Sequence, residues 1–300
     1  MTSNSSGAAM TIRQAMIDTA AEARTHLGDS LQAVRQFLRS RLDPIGAFCD
    51  REGRPDVYYT VFGIEAARAT QMPLDLDQTA QFLDILEDGA NLDFVHTAAL
   101  VRCRADVGRP VESGWTDRIL ERIESHRSAD GGYGPRPGDP VGSAYHNFLA
   151  VCVYQDLARK MPDPQGVADS LALLERAEGG FVLQPDAVHP AVPATAAGIV
   201  TLQSLGRPVR EQTLDWLLRQ CKAIGGFTAA PLAPVQDLLS TATALFALTQ
   251  ARVDIGPIRG RCLEFVESLW DTGGGFCGNW LDETVDCEYT YYGLLALGCL

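Results

Sequence analysis

A chain of 300 residues with 25 Lys and Arg against 38 Asp and Glu carries a net charge of −13. That balance argues against a nucleic-acid partner, whose phosphates need clustered cations, and against adsorption to an anionic membrane surface. Apolar residues at 46% and charged residues at 21% suffice to fill a large core, and a core that grows along a repeat escapes the usual division into two domains.

The first ten residues, MTSNSSGAAM, are small and polar. They read as a disordered tail without the basic and then apolar order of a signal peptide, so 1–10 is expected to be a tail and 11–300 a single domain in a cytoplasmic protein. The segment GAF at 46–48 opens a pattern that returns as GGY at 131–133 and as GGF at 179–181, 225–227 and 274–276. The aromatics of these last four stand 48, 46 and 49 residues apart. The interval from Phe48 to Tyr133 leaves room for one degenerate copy, which EDGANLDF at 87–94 fills, making six units.

Each unit reads alike: a Gly-rich turn, a loop, a helix apolar on all sides, then an amphipathic helix. Residues 192–205 (VPATAAGIVTLQSL) and 239–250 (LSTATALFALTQ) are helices of the buried kind. Residues 211–223 (EQTLDWLLRQCKA) and 259–270 (RGRCLEFVESLW) space apolar positions three and four apart, as half-exposed helices do. PLDLDQTAQFLDILED at 73–88 is another outer helix, with Asp75 and Asp77 at its start as a cap. Buried helices alternating with half-exposed ones predict an all-α architecture of six inner and six outer helices, which could close into two concentric rings or continue as an open solenoid.

The inner-helix starts repeat as well. Asp56-Val-Tyr58-Tyr59-Thr60-Val-Phe62-Gly63 matches Asp286-Cys-Glu288-Tyr289-Thr290-Tyr-Tyr292-Gly293, and Asp93-Phe-Val-His96-Thr97 is a shorter copy. Asp or Thr at such a position caps the helix, worth about 0.5–2 kcal/mol, and a repeat fold requires such caps. The same positions also gather at one rim, the mouth of a central cavity, where polar side chains meet ligands. The acids Asp286 and Glu288, joined by Asp56 and Asp93, form an acidic cluster there. Tyr58, Tyr59, Phe62, Phe276, Trp280, Tyr289, Tyr291 and Tyr292 are expected around it, with His96, Tyr145, His146 and Asp237 on neighbouring inner-helix starts. His189 reads as an exposed loop residue, and His26 and His126 as solvated. The eight cysteines, at 49, 103, 152, 221, 262, 277, 287 and 299, lack any CxxC pair and read mostly as reduced core residues. The apolar stretch 289–300 is too short to span a bilayer.

The GGF turns, the Asp-x-x-Tyr-Thr-x-aromatic-Gly helix starts and RQCKAIGGF at 219–227 resemble the repeat superfamily of protein prenyltransferase β-subunits and squalene-type terpene cyclases. The resemblance covers about residues 30–300 and implies an α/α6 barrel around an aromatic-lined cavity for an isoprenoid or similarly apolar substrate. Prenyltransferases of this superfamily hold a catalytic zinc with an Asp-x-Cys and a late His. Here Asp237 keeps the first position, but Leu239 stands at the Cys position and Tyr289 at the His position. The loop TAAPLAPVQ also lacks the diphosphate-binding cations, leaving Arg51, Arg54 and Arg136 as substitutes.

The resemblance therefore implies, first, an acid-initiated cyclase or isomerase without metal or other cofactor, its acids set among aromatics that stabilise carbocations. The alternatives are a prenyltransferase, or the β-like subunit of one with a partner subunit, whose metal site is rebuilt from Asp286, Cys287, Glu288, Cys277, His96 and His146, and a non-catalytic lipid-binding barrel. Helix N-termini favour ionised carboxylates, which opposes proton donation at that rim.

Overall fold

The computed structural model describes residues 10–300; of the expected tail only Met10 falls among the described residues. Six inner helices, α4 (Val57–Ala69), α6 (Phe94–Val107), α8 (Ala144–Asp156), α10 (Val192–Ser204), α12 (Leu238–Gln250) and α14 (Cys287–Cys299), pack side by side in chain order. The last, α14, packs against the first, α4, and the ring is closed. Outside it lie α3 (Leu31–Ser40), α5 (Leu76–Ile85), α7 (Trp115–Ser125), α9 (Pro164–Leu174), α11 (Glu211–Arg219) and α13 (Gly256–Glu267). The chain thus forms an α/α6 barrel.

The two rings differ for the reason the sequence gives. Helix α4 buries ten of its thirteen residues, because one face meets the cavity wall and the other the outer ring. Helix α7 buries only Trp115, Ile119 and Ile123, a stripe at a spacing of four. Side chains of Asp56, Asp93, Ser143, Asp237 and Asp286 accept the N3 amide and cap five inner helices; α10 begins instead with Pro193 in its first turn. Several outer-helix boundaries differ from expectation by three or four residues. Helix α11 stops at Arg219 because Cys221 turns back to bridge Phe227, and α13 begins at Gly256, where Pro257 fits the first turn.

The Gly-aromatic turns join the rings. Phe48, Tyr133, Phe181, Phe227 and Phe276 are each buried, and each pairs with a residue just past the end of the preceding outer helix, such as Leu42 with Phe48 and Trp270 with Phe276. The amides of Phe48, Phe181, Phe227 and Phe276 donate to Thr60, Thr195, Thr241 and Thr290, and that of Tyr133 to Asn147. The repeated Thr therefore receives the turn's amide, while the Asp four residues earlier makes the cap. In the degenerate second unit no such amide arrives, and the buried Thr97 hydroxyl has no partner.

The first glycine of each turn has positive φ and lies against the next outer helix: a Cβ on Gly225 would stand 1.9 Å from the Arg261 carbonyl oxygen. A Cβ on Gly274 would stand 2.1 Å from the carbonyl of Ala33 on α3, so the outer ring closes too.

Two short antiparallel pairs decorate the rim, β1 (Phe227–Thr228) with β2 (Gln236–Asp237) and β3 (Cys277–Asn279) with β4 (Asp282–Val285). At the opposite end, α1 (Ile12–Glu22), followed by the one-turn α2 (Arg24–Leu27), lies across the C-terminal ends of the inner helices and packs on α4, α8 and α14. The Ile12 amide donates to Gln155, and Arg13 pairs with Asp106 and Asp156 at 2.7 and 2.8 Å. Among the described residues no helix is long and apolar enough to cross a membrane.

Candidate active site

Because α14 closes the ring against α4, their N-termini meet. Tyr58 and Glu288 occupy the same second position of these two helices, and the Tyr58 hydroxyl donates to Glu288 Oε1 at 2.7 Å. Burial raises the Glu288 carboxyl to about 7, against the Tyr58 hydrogen bond and with help from the Asp286 charge. The opposition expected from the helix N-terminus is thus outweighed by desolvation.

Asp286, itself buried, caps α14 through the Tyr289 amide at 2.8 Å and accepts from Arg51 Nε at 2.7 Å. Burial raises its carboxyl, and these hydrogen bonds pull the other way. Arg51 also reaches Asp282 at 2.8 Å and lies over the Tyr289 ring. It therefore ties the rim hairpin to the helix start.

Below this rim the inner stripes of the helices enclose a cavity of about 350 Å³. Its wall includes Tyr58 and Phe62, Tyr145 and Phe148, Pro193 and Ala197, Leu239 and Phe246, and Tyr292 and Leu295. Glu288 stands one turn above Tyr292 on the same stripe of α14. Tyr58, Phe62 and Tyr292 form a continuous aromatic run, with ring centroids 5.0 and 5.6 Å apart. Burial, with the nearby Glu288 charge, pushes the Tyr145 phenol up to about 12. Met16 of α1 and Arg102 of α6 also line the cavity. Larger hollows of about 600 and 700 Å³ occur elsewhere, one among Asp84, Asp88 and Arg104 near the outer ring and one beside α1. Neither is where the inner stripes converge.

The other residues singled out from sequence are distributed as follows. Asp56 caps α4 at the rim, and Tyr59 lies beside it, its phenol raised to about 12 by burial and then by Asp286 and Glu288. Asp93 is exposed and bound by the His96 amide and ring. Burial acts upward on its carboxyl, but His96 holds it below the usual range. His96 stacks near Tyr58 at 6.1 Å. The His146 amide donates to the Ser143 cap, whose hydroxyl lies 2.7 Å from the ring Nδ1, and the ring packs on Phe94, its imidazole lowered to about 4 by burial and by His126. Asp237 caps α12 through Ser240, and burial raises it.

Phe276 does not reach the cavity. It sits between the rings against Gly293 and Trp270, because its amide docks on Thr290. Trp280 lies outside on Phe265 of α13 and donates to Ser268. His126, expected in solvent, is half-buried against Phe94 and bonded to the Gly134 carbonyl.

Arg51 is engaged by two aspartates, Arg54 by Asp50 and Glu52, and Arg136 by Asp139. Among the described residues no three of His, Cys, Asp and Glu converge as a metal-ligand set; Cys287 is buried and His96 is committed to Asp93. The wall residues Phe148, Phe246, Met16 and Arg102 were not anticipated. Spacing alone reaches Phe246, since 239, 243 and 246 mark one helical stripe.

The family of the Prenyltransferase alpha-alpha toroid domain matches residues 13–96, 100–189 and 194–300, and the chain belongs to it. Among solved structures it is similar to protein geranylgeranyltransferase-I of Candida albicans complexed with GGPP (TM-score 0.63, 11% identity, covering 88% of this chain and 89% of that one). It is likewise similar to the type II terpene cyclase MstE from Scytonema (TM-score 0.62, 13% identity, 92% and 97% covered). A third similar structure is a protein from Actinoplanes (TM-score 0.60, 15% identity, 90% and 98% covered). At these identities the likeness is one of fold. No match is found among curated protein sequences.

Proposed function

We propose that this protein is an acid-initiated cyclase or isomerase acting on an isoprenoid chain held in the central cavity, with Glu288 as the proton donor. The observation that carries this reading is the Tyr58–Glu288 pair: a carboxyl raised to about 7 and hydrogen-bonded to a tyrosine of the aromatic cavity wall. A general acid works best when its pKa lies near the operating pH.

The step is an addition. The Glu288 proton goes to the less-substituted carbon of the chain's terminal trisubstituted alkene, whose π pair forms the new C–H bond and leaves a tertiary cation on the other carbon. A second alkene closes the ring by donating its π pair, and loss of a proton to water ends the sequence. Tyr58, Phe62 and Tyr292 present ring faces to the cations, and Tyr58 steadies the carboxylate left behind. Asp286, fixed by Arg51, adds the charge that helps keep Glu288 protonated. Similar structures add context: one was solved with GGPP and another, a variant of the Scytonema cyclase, with geranylgeranyl dihydroxybenzoate.

Prenyl transfer is supported less well. Leu239 forms part of the apolar wall and Tyr289 lies under Arg51, so neither is available as a thiolate or imidazole donor.

The test is incubation with C15 and C20 isoprenoid alcohols, diphosphates and aryl esters in D₂O, followed by mass spectrometry of the products. Deuterium incorporation into a cyclised or isomerised product that disappears in Glu288→Gln supports the assignment. Undiminished incorporation in that variant rejects it.

A further inference from the structure

Cys221 and Cys262 face one another with sulfurs 3.6 Å apart, in thiol–thiol hydrogen-bonding contact. Their meeting place is a repeated position of the fold. Gly179 and Gly225 press on the carbonyls of Gln212 and Arg261, so Thr213 and Cys262, the next residues, occupy equivalent sites on successive outer helices. The residues that bridge back to the buried aromatics, Glu175 and Cys221, are equivalent too. In the earlier unit this seam is closed by a hydrogen bond from Thr213 to Glu175. In the later one, two thiols stand in its place.

We propose that Cys221 and Cys262 are an oxidisable dithiol that closes to a disulfide, covalently joining the turn after α11 to α13 and so stapling two neighbouring repeats. Cys221 is half-buried and within reach of a small oxidant, whereas Cys262 is buried directly behind it. The hydrogen bond from Cys262 favours the Cys221 thiolate, against burial and with further help from Arg261, while the same contact and burial hold Cys262 as a thiol. One attacking and one resolving sulfur are thereby distinguished.

The oxidant is a low-molecular-weight disulfide. The Cys221 thiolate attacks one of its sulfurs, forming a mixed disulfide and expelling one thiolate. Cys262 gives its proton to that thiolate and attacks the Cys221 sulfur, expelling the second thiolate, which takes a proton from water. The pair is oxidised by two electrons, and one small disulfide becomes two thiols. A shift of the sulfurs from 3.6 Å to a bond length of about 2 Å is all the closure requires along that line.

The experiment treats the purified full chain with glutathione disulfide, alkylates free thiols and maps peptides without reduction. The expected result is a Cys221–Cys262 link without retained glutathione, and a Tm raised on the order of 5 °C that dithiothreitol reverses. Cys262→Ala, its fold checked by circular dichroism, should instead stop at a glutathione adduct on Cys221. Wild-type protein in which both residues remain alkylatable, or in which Cys221 keeps glutathione, overturns the proposal. A link that forms without raising Tm overturns the staple.

Discussion

Arg13, on the helix that crosses the floor of the barrel, stands 2.7 Å from Asp106 at the end of α6, and both side chains are buried. The pair belongs to a charged layer in which Arg13 also holds Asp156, and Arg102 holds Glu65 through two hydrogen bonds, one of 2.7 Å. Burial and the Glu65 charge push the Asp106 carboxyl upward, and the three arginines 13, 68 and 102 oppose them. Removing one partner of such a pair leaves an uncompensated charge, which costs about 3–5 kcal/mol. Arg13→Met should therefore destabilise the fold by that order at pH 8. Its cost should be smaller at pH 5, where the orphaned carboxyls can take protons. Urea unfolding at the two pH values checks it, and an equal loss at both would show that packing of α1, not charge, is what Arg13 supplies.

Gly225 and Gly260 sit within one unit and respond oppositely to a methyl group. At Gly225, φ is +88° and the Arg261 carbonyl oxygen lies 1.9 Å from the Cβ position, so Gly225→Ala strains a turn and pushes α13 outward. A loss of about 3 kcal/mol is expected. Gly260 is inside α13 with nothing within 4 Å of its Cβ position, and Gly260→Ala should gain about 0.5–1 kcal/mol of helix stability. Thermal unfolding of the two variants compares seam strain with helix propensity directly.

The ring itself was legible because the repeat writes it several times over: each turn carries an aromatic that must be buried and a glycine that must touch the next helix. The cavity stripe was legible in part, since 58 and 62, and 288 and 292, are one turn apart. Proximity in sequence misled where it crossed layers. Phe276 and Trp280 precede the acids by a few residues, yet the chain reverses between them through β3 and β4, and both rings pack outward. The floor was not legible. Met16 belongs to no repeat, and α1 is held by polar ends meeting Gln155, Asp156 and Asp106, contacts between residues about 90 to 140 positions apart. The rim strands are too short to leave a period.

Arg51 links the two rim acids to the hairpin, and its loss isolates one of them. In Arg51→Met, burial of Asp286 is no longer opposed by the guanidinium, so its carboxyl should rise further. A carboxyl raised in the folded state favours folding most below its unfolded pKa, and the advantage is lost as pH climbs through the folded value. The variant should therefore lie nearest wild type at acid pH, where Asp286 is protonated in both, and fall behind as pH rises to 8. The deficit is about 1 kcal/mol, given that the arginine side chain is one-third exposed and screened by solvent. Chemical denaturation across that range measures it.

Glu288 offers the sharpest pH signature. Its carboxyl titrates at about 7 in the folded protein against 4.5 ordinarily. The protonated group thus stabilises the fold fully below about 4.5, and that contribution disappears as pH rises through 7. Glutamine does not titrate and still accepts the Tyr58 hydrogen bond. The stability of Glu288→Gln relative to wild type should therefore climb between pH 5 and pH 8, by about 2–3 kcal/mol. Catalysis, if Glu288 is the acid, runs the other way: wild-type kcat should decline above about pH 7, and the variant should lose a factor of about 10²–10⁴ at every pH. A variant that is more stable at pH 8 but inactive separates a proton donor from a structural carboxyl. Gained stability with turnover intact would leave Glu288 a buried acid and move the proton source elsewhere on the rim.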